Sequence, residues 1–380
     1  MINANNPVPS ENPQIKQIVL LITHKCNLNC RYCYEKHKDA SVMDANVCKK
    51  ILDKEFSGLK REKRSLSISF LGGEPLLNED LIMEVSEWLW NKKTEISFTL
   101  DITTNGTVLS GRMREWLSKN KHKIDVTLSL DGLGEIQSIN RTSAKIDVDF
   151  FISNWPHRRV NVVLFPDSIN LFAQSVREMM RRGIKVNVAI GEGIYWSHEA
   201  QKEYERQLEI LQEDFIDNPL AGRRSGIFLN IEHCDGDIPE TLPICTVESS
   251  NTSCYDAKGN LYACHMLTPI VLGKQLDYYQ RLQKESLCYR VDDSCRNCII
   301  FHACKPCPAL NIMVFNEVNK NGTLATTCNM RKIQARQSAI LYCKFITKLT
   351  ARNVKLGNVE KDLLKKALSI IKTIPPATEL

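Results

Sequence analysis

Cys26-Asn27-Leu28-Asn29-Cys30-Arg31-Tyr32-Cys33-Tyr34 is the stretch that decides how this chain is read, and it follows directly on a strand-like apolar run at residues 18–22. Thiolates spaced four and then three residues apart can wrap one cubane iron–sulfur cluster and ligate three of its irons, leaving the last open to a ligand. Zinc sites favour paired Cys-x2-Cys knuckles that close a tetrahedron, and a lone Cys-x3-Cys-x2-Cys suits them poorly. Lys25, Asn27, Asn29 and Arg31 suit an exposed loop rather than a core of structural thiols.

Working outward, residues 65–70 alternate as a strand and run straight into Leu71-Gly72-Gly73-Glu74-Pro75. Four turn-forming residues alone mean little. Placed after a strand, and after a cysteine loop on the preceding strand, they mean more. The glycines let backbone approach a ligand closely, Pro75 stiffens the turn, and Glu74 can accept from an ammonium group.

Together the two motifs resemble the radical S-adenosylmethionine (radical SAM) enzymes. The resemblance implies that Cys26, Cys30 and Cys33 hold a [4Fe–4S] cluster that binds S-adenosylmethionine. It also implies that Gly72, Gly73, Glu74 and Pro75 hold the amino group of the cofactor's methionine part.

The chain has 380 residues, 43% of them hydrophobic and 25% charged, with a formal charge of +6. These values suit a soluble protein of two domains, or of one large domain with an extension, and do not announce nucleic acid. Residues 1–15 are polar and read as a disordered lead-in, with no apolar core of a signal peptide. No apolar run reaches the ~20 residues that span a bilayer. The expected location is therefore cytoplasmic, where thiols stay reduced. Fifteen cysteines then point to metal ligation: three lie in the first motif, Cys48 stands alone, and eleven fall between Cys234 and Cys343.

Residues 16–225 alternate strands (17–22, 65–70, 97–103, 125–130, 160–165, 185–189) with amphipathic helices, which predicts an α/β fold with a parallel sheet. The resemblance refines this to a partial (β/α)6 TIM-like barrel, with functional residues at the strand C-terminal ends. Two more strand ends are polar, at Thr104-Asn105 and at Ser129-Leu130-Asp131. By resemblance Thr104, Asn105, Ser129 and Asp131 contact the cofactor's ribose and methionyl parts, and Arg141 meets its carboxylate. Local turn hydrogen bonds, and a surface arginine, are the competing readings. Val162 and Leu164 either face the adenine or fill the core. Only a short helix, about 147–154, fits between Arg141 and the fifth strand. Cys48 sits at helical spacing among Val47, Ile51, Leu52 and Phe56 and reads as core.

Residues 226–335 carry Cys245-x13-Gly259-x4-Cys264, then Cys295-x2-Cys298-x5-Cys304-x2-Cys307, then Cys328. This looks like a SPASM domain, the auxiliary-cluster extension of many radical SAM maturases. One spacing departs: the last gap of the second block is two residues, not three. Gly259 reads as a hairpin glycine with positive φ. By family precedent Cys295, Cys298, Cys304 and Cys328 hold one auxiliary [4Fe–4S] cluster, and Cys245, Cys264 and Cys307 hold another. Cys234 is the candidate for the fourth ligand there, with Cys254 as its rival. Zinc on the two Cys-x2-Cys pairs is the alternative, and it leaves Cys245, Cys264 and Cys328 unexplained. Cys288 has no assigned partner. Residues 336–380 read as terminal helices, with Cys343 in their core.

The resemblance thus implies three [4Fe–4S] clusters and S-adenosylmethionine, a reductant such as flavodoxin or ferredoxin, and a peptide or protein substrate that is cross-linked or oxidised. Twenty-five residues before Cys26 are too few for a winged-helix recognition domain, so either a separate leader-recognition protein or direct docking is expected. Formylglycine formation on a sulfatase is one alternative activity. A non-catalytic electron-transfer or redox-sensing protein is another, but it leaves the Gly-Gly-Glu-Pro turn unexplained.

Overall fold

In the computed structural model the described residues are 15–59, 64–191, 193–234, 251–277, 280, 295, 297–304, 307, 309 and 323–380. Four parallel strands, β1 (Ile15–Thr23), β2 (Ser65–Gly72), β3 (Phe98–Thr104) and β4 (Asp125–Leu128), lie side by side in chain order. A second parallel pair, β5 (Val160–Leu164) and β6 (Val186–Ile190), continues them. The junction is thin: a bridge between Ser129 and Asn161, and Leu130 N–H donating to the Asn161 carbonyl at 2.9 Å. The fold is α/β with parallel strands, as the alternation of elements predicts, and a partial TIM-like barrel, as the resemblance implies.

The helices between the strands are α1 (Ala45–Leu59), α2 (Glu79–Trp90), α3 (Gly111–Asn120), α4 (Glu135–Asn140), α5 (Val148–Asn154), α6 (Phe172–Arg181), α7 (His198–Phe215) and α8 (Pro219–Arg224). Local chemistry starts them: the Ser110 and Ser197 side chains accept from Met113 N–H and Ala200 N–H at the beginnings of α3 and α7. The crossover from β4 to β5 is made by two short helices, α4 and α5, where the sequence suggests one. Leu66, Ile68 and Phe70 of β2 face the helices in the main core, with Cys48, Ile51 and Leu52 of α1. Val162 and Leu164 belong to that same core, so of their two readings the packing one is observed.

The cysteine-rich extension enters through the sheet. Strand β7 (Thr252–Tyr255) pairs in parallel with β1, setting Cys254 against Val19, and the short β8 (Leu261–Tyr262) turns back along it. Gly259 closes the hairpin at φ 85°, and a Cβ there would lie 2.9 Å from Val47 of α1. Farther on, the helix Thr323–Ala351 runs unbroken past residue 336 and lies on α7. Their seam is polar and buried. Gln337 donates to Glu205 at 3.0 Å, Gln212 donates to Gln337 at 2.6 Å, and Ala377 N–H donates to Glu205 at 2.9 Å. The last helix is Asn358–Thr373. Among the described residues, no helix is long and apolar enough to cross a membrane.

One buried carboxylate locks β7 to the barrel. Glu55 of α1 accepts from Lys16 Nζ at 2.7 Å and from the Tyr255 hydroxyl at 2.6 Å. Burial opposes its charge, but these bonds outweigh burial and hold its pKa below the ordinary 4.5. Folding therefore favours the ionised form, and the stabilisation is full above pH 4.5 and lost as acid protonates the folded-state carboxyl. Urea unfolding of wild type against Glu55→Gln should show its largest gap near neutral pH, closing as the pH falls below 4.5.

Candidate active site

The site is laced together by backbone before any side chain takes part. After β1 the chain turns at Thr23 into the cysteine loop, and after β2 it turns at Gly72-Gly73. Gly73 N–H donates to the Thr23 carbonyl at 2.9 Å, and Glu74 N–H to the Lys25 carbonyl at 2.8 Å. There is no room for side chains at this crossing. A Cβ on Gly72, whose φ is 136°, would lie 2.2 Å from the Thr23 oxygen, and one on Gly73 would lie 2.3 Å from the Lys25 oxygen. The observed close approach at the two glycines is thus to the cysteine loop itself.

Pro75 opens a short 3-10 helix and turns Glu74 inward, where it is 1% exposed. Its carboxylate accepts from Leu76 N–H (3.0 Å), the Thr104 hydroxyl (2.6 Å) and Asn105 N–H (2.8 Å). Burial raises its proton affinity, and these three donors oppose that rise. Thr104 also accepts from Gly106 N–H at 3.0 Å. Asn105 donates to Asn27 at 3.0 Å and accepts from Thr107 N–H at 2.8 Å, so it ties the third strand end to the cysteine loop. Thr104 and Asn105 thus each make a local bond, to Gly106 N–H and Thr107 N–H, and a long-range bond, to Glu74 and Asn27. Ser129 is half-buried and donates its N–H to the Thr104 carbonyl at 2.8 Å.

A second constellation joins residues far apart in sequence. Asp131 is fully buried and accepts from the Tyr32 hydroxyl at 2.7 Å and from Val163 N–H at 2.9 Å. Arg141 donates to the same Tyr32 oxygen at 2.7 Å and lies over its ring. Burial pushes the Asp131 carboxyl up, against the pull of Arg141. Arg141 Nε is buried without a hydrogen-bond partner. Such a donor is costly to leave unpaired.

Cys26, Cys30 and Cys33 are all half-buried. Burial pushes the Cys26 and Cys30 thiols up, and each is pushed further by the charge of Cys33. Lys38 Nζ donates to Cys33 Sγ at 3.4 Å, and Leu28 N–H to Cys26 Sγ at 3.4 Å. The three sulfurs are therefore within electrostatic reach of one another, in a setting that disfavours the Cys26 and Cys30 thiolates unless positive charge is supplied. A cubane cluster supplies it, so the donor set fits that group. Among the described residues, no three His, Cys, Asp or Glu side chains gather as a single metal ion would need.

Two further groups of thiols stand apart. Cys304 is pushed up to about 12 by burial, and it also feels the charges of Cys328, Cys298 and Cys295. All three lie within electrostatic reach of Cys304. Cys264 and Cys307 pack instead beside buried Cys254, in an apolar cluster with Val19 and Leu21 of β1. Cys234 lies elsewhere, buried with Ile231 and Ile300 beside Cys298 and Cys304. Cys245 and Cys288 fall outside the described residues. Cys343 is half-buried against the cluster that holds Cys234.

Sequence reasoning missed two groups between the first and second thiol sets. Burial pushes the Glu35 carboxyl up to about 7, and burial holds the His265 imidazole below its ordinary range. Tyr34 packs on His265 at 5.8 Å between ring centres. The adjacency of Glu35 to Cys33 and of His265 to Cys264 was the available signal.

Residues 20–153 match the model of the Radical SAM superfamily. They are a radical SAM domain. The domain implies one [4Fe–4S] cluster and S-adenosylmethionine. An uncharacterised protein of Methanocaldococcus jannaschii is 33% identical over 127 residues, 33% of this chain and 42% of that protein. The radical SAM cyclopropyl synthase TigE of Paramaledivibacter caminithermalis is 32% identical, over 31% of this chain and 27% of its own length. The chain thus spans less than half of these two relatives. A GTP 3′,8-cyclase of Clostridium acetobutylicum is 27% identical over 67% of this chain and 74% of that enzyme. Among solved structures, anSMEcpe with bound AdoMet shares the fold: TM-score 0.58, 15% identity, 95% of this chain and 98% of that one.

Thr104→Val would leave the Gly106 N–H without its acceptor and remove one donor from Glu74, both buried. We expect a loss of about 1–3 kcal/mol in urea unfolding. Glu74→Gln, which turns an amide group toward three donors, should cost more than Thr104→Val in the same measurement.

Proposed function

We propose that this chain is a radical SAM enzyme that modifies a residue of a peptide or protein substrate, making a cross-link or an oxidation. The observation that carries the reading is the cysteine loop bonded backbone-to-backbone to the Gly-Gly-Glu-Pro turn, with two more thiol groups beyond it. We assign Cys26, Cys30 and Cys33 to the cluster of the radical SAM domain. Cys295, Cys298, Cys304 and Cys328 would hold an auxiliary [4Fe–4S] cluster. Cys264 and Cys307 would hold another with Cys245, and the packing of Cys254 beside them supports it over Cys234 as the remaining ligand.

When bound, the first cluster and S-adenosylmethionine supply a 5′-deoxyadenosyl radical that removes hydrogen from an unactivated carbon. The chain's own residues bind and orient. Arg141, with its unpaired Nε, is suited to the cofactor's carboxylate. Glu74 has accepted three bonds, and a carboxylate offers about four lone-pair directions, so one remains for the cofactor's ammonium. Asp131 holds Tyr32, and Tyr32 in turn holds Arg141 in place.

One neighbour in fold supports a peptide substrate: anSMEcpe has been solved with AdoMet and the Cp18Cys peptide. The cyclase relative favours a second reading, in which the substrate is a nucleotide such as GTP. The small charge and cysteine-rich extension leave the peptide reading ahead. A reductant such as flavodoxin or ferredoxin completes the proposal, with the substrate either presented by a separate leader-recognition protein or docked directly.

After anaerobic reconstitution we expect about twelve irons per chain. Replacing Cys26, Cys30 and Cys33 together by Ala should remove about four of them and abolish 5′-deoxyadenosine formation with dithionite, while the other clusters' absorption persists. Cleavage surviving the triple change would refute the assignment. Faster cleavage on adding GTP, with a cyclised nucleotide in the mass spectrum, would favour the nucleotide reading.

A further inference from the structure

Lys38 is a charge with an unusual partner. Other half-buried lysines of the chain end on carboxylates: Lys16 on Glu55, Lys49 on Glu84 and Lys92 on Asp53. Lys38 is half-buried too, yet its ammonium donates to Cys33 Sγ at 3.4 Å. Glu35 acts on it through space, without a hydrogen bond. The same ammonium also acts on Cys26, whereas the cation that acts on Cys30 is Arg141. Each of the three thiols therefore has a resident positive charge nearby, and Lys38 serves two of them.

The cysteine-rich extension holds Lys38 in this place. His37 N–H donates to the carbonyl of Ile270, in the short helix Pro269–Leu272, at 2.9 Å. Gly273 follows that helix at φ 50°, and a Cβ there would lie 2.5 Å from the His37 ring. Ile270 is itself buried with Cys254, in the apolar cluster against which Tyr34, Cys264 and Cys307 pack. Tyr34 and His37 are thus both fixed against the extension. Lys38 leaves from the second of these anchors, and its flexible stem turns back to the sulfur of Cys33.

We propose that Lys38 is a tuning residue for the cluster of the radical SAM domain, raising its reduction potential so that a one-electron carrier can reduce it. The inference rests on the assignment of Cys26, Cys30 and Cys33 to that cluster. On reduction the cluster takes up one electron from the carrier, which is oxidised by one equivalent, and the site becomes more negative. A positive charge hydrogen-bonded to a ligand sulfur favours the reduced form over the oxidised one. Net charge, hydrogen bonds to the sulfurs and solvent exposure set the potential of such clusters. Lys38 acts through the first two.

The test poises the reconstituted holoenzyme at a series of ambient potentials with redox mediators and reads the reduced clusters by EPR. The first cluster is the part of the signal that is lost when Cys26, Cys30 and Cys33 are all replaced by Ala. Lys38→Met keeps the stem and removes the charge. At a fixed ambient potential its ratio of reduced to oxidised first cluster should fall about tenfold, a midpoint lower by about 59 mV for one electron. Lys38→Arg should stay close to the wild type. Lys36→Met removes an exposed charge from the same loop and should move the midpoint much less. Iron per chain is counted on every sample, and Lys38→Gln replaces the Met variant if that one fails to load. An unchanged or higher midpoint in the iron-replete variant overturns the proposal, as does an equal shift in Lys36→Met. Identical spectra from the wild type and the triple cysteine variant would refute the cluster assignment, and the proposal with it.

Discussion

Two backbone hydrogen bonds, between the turn after β2 and the loop after β1, are the constraint on which the candidate site depends. They need the chain to cross itself at van der Waals contact, and Gly72 and Gly73 are the residues that allow it. Once that crossing is made, Glu74 has nowhere to point but inward. Its carboxylate then gathers the end of β3, and Asn105 returns the connection to Asn27. The loops after three successive strands become a single hydrogen-bonded unit. A site made this way can be rigid although no part of it lies on a helix or in a strand interior.

Much of this was legible in the sequence because the signals were local. Strand β2 reads as Ser-Leu-Ser-Ile-Ser-Phe, and its alternation is what a sheet with one dry face requires. The cysteine loop and the Gly-Gly-Glu-Pro turn are short and follow strands, so their position at the barrel mouth follows from the topology. What was not legible is long-range. Nothing in Thr252-Ser-Cys-Tyr255 says that its partner is β1, more than two hundred residues earlier. Tyr32, in the loop after β1, meets Asp131 and Arg141, which both follow β4, only because those two distant segments converge. The two readings of Thr104 and Asn105 could not be separated by residue type, since a hydroxyl and an amide serve a turn as readily as a ligand.

The electrostatics of the thiols set a condition on assembly. Burial disfavours thiolate at Cys26, Cys30 and Cys304, and neighbouring sulfurs add to the penalty. Before metal arrives these groups hold their protons, so loading must release them, and the metal's charge must offset what the protein withholds. Lys38 contributes a little of that charge at Cys33. The same penalty protects the unloaded sites, because a protonated thiol is a poor nucleophile and oxidises slowly.

The pairing of β7 with β1 has a consequence for how such a chain can vary. Strand β1 carries the first cysteine loop on its end and the hairpin of Cys254 along its edge, so one strand serves as the common ruler for two sets of sulfurs. A one-residue slip between them would turn Cys254 from the inner face to the helix side and send Tyr255 the other way, away from Glu55. Small displacements are therefore forbidden in steps of one. Length changes can accumulate in the turns, but the strand itself must be inherited whole, and the separation of the two sets is quantised by the pleat.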